Sequence, residues 1–272
     1  MKCLGRSVCV VAIIIAVLSI NAAVWAAEEP LPDRFMLRFG GYLVSNAETV
    51  ARLDANAAPV GAYIDFSDDL GGDTSNTVLR LDGLYRFNNK HALGFSWYSL
   101  DFEGTRELNR DINWGDQTFP INARVDSELK FDVYKVNYQY SLFHNQEAEL
   151  GVSAGLHVMR FNAAISSSRS GNSQEEGVTA PLPVFGLFGD YKFTPRFSAY
   201  FNYQFFAISY DDKIKGGLQD FLVGLEYRVV KNVALGAAYN RFAAKVESKE
   251  DATTLNVDTT WNGALLYAAV YF

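Results

Sequence analysis

Three features of the 272-residue sequence predict an all-β fold: a transmembrane antiparallel up-and-down β-barrel of about ten strands, within a range of eight to twelve. Apolar residues recur with period two rather than 3.6, in segments of about ten residues, the length a tilted membrane-crossing strand needs. Short turns alternate with long polar stretches. Tyr and Phe concentrate near the ends of the apolar faces, where aromatic girdles form. The aromatic share, 14%, is too high for a disordered chain. No run of 18 or more apolar residues exists to make a membrane helix. The net charge of −7 opposes the basic face that nucleic-acid binding requires.

Residues 1–26 have the pattern of a secretory signal peptide. Lys2 and Arg6 supply a basic start, Val8 to Leu18 an apolar centre, and Val24 and Ala26 the small residues for cleavage after Ala26. A membrane anchor is the alternative, but 11 helical residues span only roughly 16 Å. Sec-type export is therefore expected, followed by a barrel domain over 27–272. Both cysteines, Cys3 and Cys9, lie in the signal, so the mature chain has none and holds together without disulfides.

The expected strands are centred on 35–45, 77–87, 92–103, 129–142, 149–162, 182–193, 197–209, 218–229, 233–245 and 260–272. Each shows one apolar and one small, polar or charged face. Phe197, Ala199, Phe201, Tyr203, Phe205 and Ala207 oppose Ser198, Tyr200, Asn202 and Gln204. Tyr134, Val136, Tyr138, Tyr140 and Leu142 oppose Lys135, Asn137, Gln139 and Ser141. Leu150 to Val158, Phe221 to Val229 and Leu79 to Phe87 repeat the pattern. A soluble sandwich also alternates, but with its apolar face as core. Strand length, loop asymmetry and girdles favour the inverted arrangement, with lipid outside.

Short turns fall at Phe87–His91, Phe143–Glu147, Phe193–Arg196 and Val230–Asn232, where Asn, Pro and Lys supply turn chemistry. Long loops are expected over 46–76, 104–125, 166–178, 210–217 and 247–256, with Ala62 to Phe66 extending the second strand. Pro181 and Pro183, which lack N–H donors, are read as a strand end. An even strand number places both termini on the periplasmic side and leaves no open edge.

The final segment, Leu266-Tyr267-Ala268-Ala269-Val270-Tyr271-Phe272, alternates and closes on an aromatic. Together with the signal peptide, it resembles the C-terminal pattern of small bacterial outer-membrane β-barrel proteins. The segments IDFSDDLGG, RLDGLYRF, ELGVSAGLHVM, TAPLPVFG and FTPRFSAYFNYQ are similar to a largely uncharacterised subfamily of such barrels. The resemblance implies integral placement in a Gram-negative outer membrane. It also implies contact with outer-membrane lipid and lipopolysaccharide, and recognition by the barrel assembly machinery, with Phe272 as assembly signal. It implies no cofactor and no catalytic residue. A monomer is expected.

Lipid-facing apolar residues leave a charged set for the lumen: Arg38, Arg80, Asp82, Arg86, Lys135, His157, Asp190, Lys192, Glu226 and Arg228. Buried charges are costly unless paired, so an ion-pair network is expected. Opposite charges two residues apart lie about 7 Å apart along a strand, so partners are expected on other strands or across the lumen. Such a network fills a narrow barrel and suits a structural or surface-interaction role. The alternative is a narrow passive, porin-like channel with a charged constriction. The acidic loop residues Asp65, Asp68, Asp69 and Asp73 are weak candidates for a divalent ion, since their spacing does not match a calcium-binding loop. An outer-membrane hydrolase is the remote alternative. No His-x-Ser follows His157, and the acidic and Asp-x-His motifs of omptin-type proteases are absent.

Overall fold

The computed structural model describes residues 34–55, 63–114, 117–167, 173–210, 214–250 and 253–272. The expected signal peptide lies outside them. Thirteen strands run β1 (Phe35–Ala55), β2 (Ile64–Asp65), β3 (Asn76–Arg86), β4 (His91–Glu107), β5 (Ile112–Trp114), β6 (Gln117–Phe119) and β7 (Arg124–His144). They continue with β8 (Ala148–Ser166), β9 (Ser173–Lys192), β10 (Phe197–Tyr210), β11 (Ile214–Val230), β12 (Val233–Glu250) and β13 (Thr253–Tyr271). Ten of these form one antiparallel sheet of sequential neighbours, β1, β3, β4 and β7 to β13, and β13 pairs with β1 to close it. The barrel and its ten strands match the sequence expectation. Closure leaves the sheet without an open edge at the level of the short turns, a requirement inside lipid.

Side-chain chemistry sets the short turns. Asn88 Oδ1 accepts the N–H groups of Lys90 and His91 at 2.9 and 3.0 Å. Asn145 Oδ1 does the same for Glu147 and Ala148 at 2.9 and 2.7 Å. Thr194 Oγ1 accepts from Arg196 and Phe197 at 3.3 and 3.0 Å. Each is a local side-chain-to-backbone turn of the kind Asn and Thr favour.

Below mid-height, apolar residues face out. On β8, Val152, Ala154 and Leu156 face outward, while Ser153 and His157 are buried inside. Above that level the pattern inverts. Arg160 faces out and Met159, Ala163 and Ile165 are buried. On β7 the switch falls between Asp132 and Tyr134. Tyr134, Val136, Tyr138 and Leu142 are exposed below it. Arg124, Asp126 and Glu128 are exposed above it, with Val125, Leu129, Phe131 and Val133 buried behind them. The outward run Tyr134 to Leu142 rises about 21 Å at a tilt of about 40°, close to the apolar band of an outer-membrane barrel. The polar-walled part continues roughly 20 Å further.

This inversion corrects the expected loops. Three of the five long polar stretches are largely strand: β8 and β9 pair up to Ser166–Ser173, β10 and β11 to Tyr210–Ile214, and β12 and β13 to Glu250–Thr253. Among the described residues, the exposed Arg124, Asp126, Glu128, Arg160 and Lys245 mark an outer wall in water. Two further corrections concern single segments. Ile64 and Asp65 pair with Ala51 and Val50 of β1 and do not extend the second wall strand; Ala62 is outside the described residues. β9 runs through Pro181 and Pro183 with an unbroken ladder to β8, whereas its ladder to β10 stops at Phe185–Phe205. The two prolines have the same parity, so their missing donors fall on the one edge of β9 that has no partner there.

Candidate functional site: the lumen

The inward faces stack into three levels. Nearest the short turns, Glu226 on β11 is a hub. It accepts from Arg38 Nε at 3.1 Å and from the Tyr267 hydroxyl at 3.1 Å, and it also bonds the Tyr271 hydroxyl. The Arg38 guanidinium lies over the Tyr200 ring, 4.0 Å from its centroid. Gly224 and Gly236 make room for this level: a Cβ at either would meet the Tyr200 or Tyr267 ring at 2.6 or 2.2 Å. Beside the hub, Arg86 holds Glu149 through two bonds of 2.8 Å, and Ser141 and His144 also reach Glu149.

The middle level is a connected buried network. Arg80 donates to Asp82 at 3.0 to 3.2 Å and to Asn240 Oδ1 at 3.2 Å. The Tyr42 hydroxyl also donates to Asn240 Oδ1, at 2.7 Å. Asn240 Nδ2 donates to Asp220 at 2.7 Å, and Asp220 takes the Lys135 ammonium. His157 shares a 2.7 Å bond with Gln204. Arg80 and Lys135 both lie about 5.1 Å from the Tyr98 ring centroid, so cation–π attraction supplements the carboxylates.

The third level is apolar. Trp261 stacks on Phe242 at 4.1 Å and 15° and meets Phe131 at 5.4 Å. Leu100, Phe102, Val133, Leu218 and Leu265 are buried around them. This is the core of a water-soluble barrel, set on top of a membrane-type one.

Arg38, Arg80, Asp82, Arg86, Lys135, His157 and Glu226 therefore share the lumen, while Asp190, Lys192 and Arg228 line its mouth at the short-turn end. The pairing differs from the spacing argument. Arg80 bonds Asp82 on its own strand, because an arginine side chain laid along the wall covers two residues. Glu226 pairs across the lumen with Arg38 on β1, and Arg228 instead stacks over Tyr271 at 4.2 Å and donates to Lys231 O at 3.1 Å. The sixth and eighth wall strands do not exchange ion pairs among the described residues. Sequence reasoning missed Glu149, Asp220 and Asn240. All three lie on inward parity, which is the signal that would have found them.

The acidic loop residues form a turn. Asp65 Oδ1 accepts the Ser67 and Asp68 N–H groups at 2.9 Å each, and Asp69 Oδ2 accepts from Asp65 N at 2.9 Å and from Arg110 at 2.7 Å. The Asp73 N–H donates to Glu103 O at 2.8 Å. Among the described residues no group of three or more His, Cys, Asp or Glu side chains is placed to hold a metal ion.

No protein-family model and no curated relative matches the chain. Solved structures do. The outer membrane protease OmpT from Escherichia coli matches with a TM-score of 0.56 at 12% identity, over 90% of this chain and 99% of that one. The Pseudomonas putida toluene transporter TodX matches at 0.37 and 10%, over 89% of this chain and 91% of that one. The outer membrane protein OprG from Pseudomonas aeruginosa matches at 0.33 and 13%, over 88% and 95%. At these identities the OmpT likeness shows the fold alone. The chain has the closed antiparallel β-barrel fold that this outer-membrane protein has.

Proposed function

We propose that this barrel is closed to solutes and acts by displaying a rigid, polar-walled projection at the cell surface for contact with a partner outside the cell. The observation that carries the reading is the apolar level around Phe242 and Trp261. A channel must keep its lumen wet through its whole height, whereas this one is packed with aromatic and aliphatic side chains above the charged levels. The same packing makes the projecting wall stiff, which suits a surface that must hold one shape for recognition.

The belt is bathed in outer-membrane lipid and lipopolysaccharide, and the chain works as a monomer delivered by Sec-type export. Barrel assembly machinery engages the end of its last strand, where Phe272 donates its N–H to Phe35 O at 2.9 Å and its ring lies tilted against the Phe35 ring, centroids 6.1 Å apart. No catalytic step enters the reading. His157 is fully buried beneath the apolar level, with Gln204 as its partner.

The cysteine-free mature chain makes the test direct. Single cysteines at Glu128, on the projecting wall, and at Thr194, in a short turn, are exposed to a membrane-impermeant maleimide on intact cells. Glu128→Cys is expected to label and Thr194→Cys to label only after the outer membrane is opened. Labelling of Thr194→Cys on intact cells would invert the barrel and end the surface reading.

A further inference from the structure

Below the Lys135–Asp220 level the lumen is not filled. A cavity of about 240 Å³ extends from there to the short turns. That is on the order of eight water volumes, room for a solute the size of pyrophosphate. Its walls carry eight cationic side chains and five carboxylates. Four cations are occupied, in the pairs Arg38–Glu226, Arg80–Asp82, Arg86–Glu149 and Lys135–Asp220. Arg228 is engaged with Tyr271 and Lys231. Arg34, Lys192 and Arg196, all at the mouth, have no carboxylate within ion-pair distance among the described residues. Asp190 is the one lining carboxylate without a direct ion pair there, though it lies close enough to Arg38 and Lys192 to feel both charges. Deeper in, Asn137 is 7% exposed, and its Nδ2, a donor group, has no hydrogen-bond partner. Unmatched donors and unmatched positive charge thus converge on one cavity that is blocked at its far end.

We propose that this cavity binds a small multivalent oxyanion, of the phosphate or pyrophosphate class, entering from the periplasmic side. Lys192 and Arg196 draw the anion to the mouth, where low-dielectric walls strengthen their field. Asn137 Nδ2 supplies a donor to an acceptor oxygen at the floor. Asp190 stands among the mouth cations and opposes anion entry, which keeps affinity moderate. The site does not depend on the surface role, because it lies on the other side of the charged levels.

The test is calorimetric titration of inorganic pyrophosphate into the refolded mature protein in uncharged detergent. One saturable site per barrel is expected, weakening as salt rises. Lys192→Gln with Arg196→Gln should weaken binding at least tenfold, and Arg196→Gln alone, on an exposed turn, should weaken it about threefold. Asp190→Asn should tighten it about threefold. Micelles doped with phosphatidylglycerol should not compete, because a headgroup fixed at the belt does not reach the lumen. Absence of a saturable site overturns the proposal. So does binding that these variants leave unchanged, a loss rather than a gain with Asp190→Asn, or competition by the lipid, which would move the anion to the outer wall.

Discussion

Asp220→Ala is expected to destabilise the barrel by about 3–5 kcal/mol, because it leaves the buried Lys135 ammonium at the head of the cavity without its carboxylate. Lys135 is 4% exposed and Asp220 5%, so water offers neither side chain much replacement. The carboxylate also accepts from Asn240, which in turn accepts from Arg80 and Tyr42. Its removal therefore unsettles a chain of bonds rather than one contact. Lowered temperature of heat modifiability on gels is the readout. The double variant Asp220→Leu with Lys135→Met, which removes both charges, should recover most of the loss. If the single variant is as stable as the parent, the middle level is wet and the network is not a structural element.

Phe242→Ala with Trp261→Ala is expected to give the second large effect, on two readouts at once. Each truncation of a buried aromatic costs about 3–5 kcal/mol, and the pair shares contacts, so the sum should fall short of additive. Removing both opens the apolar level. The double variant should then pass ions in a planar bilayer, with flickering steps set by the charged levels beneath. A variant that loses stability yet stays silent would show that other side chains close the lumen.

The lipid-facing half of the fold was legible because it follows a simple rule. Tyr134 to Leu142 and Leu150 to Val158 alternate without interruption, and their parity places Lys135 and His157 inside. The projecting half was read as strand only in part, because its polarity runs the other way. The strand expected over 129–142 starts at Arg124, and Asp126 and Glu128 look solvated until Val125, Leu129, Phe131 and Val133 are seen to be core. Parity carried upward would have shown Phe242 and Trp261 pointing into the lumen, on the opposite phase to Tyr239 and Leu266. The pairing partners were less legible for a different reason. Alternation tells which wall a side chain leaves, but not how far it bends. Arg80 reaches along its own strand to Asp82, and Arg38 crosses to Glu226, and neither choice follows from spacing. Asp220 and Glu149 sit near the ends of their apolar runs, where the face pattern is weakest.

Single-molecule conductance of the refolded mature barrel in a planar bilayer tests the closed lumen most directly. The packed level around Trp261 predicts insertion without ohmic steps at moderate voltage, in symmetric salt. Stable, discrete open steps from the unmodified protein would contradict it, since they require a continuous water path through residues that lie in van der Waals contact here.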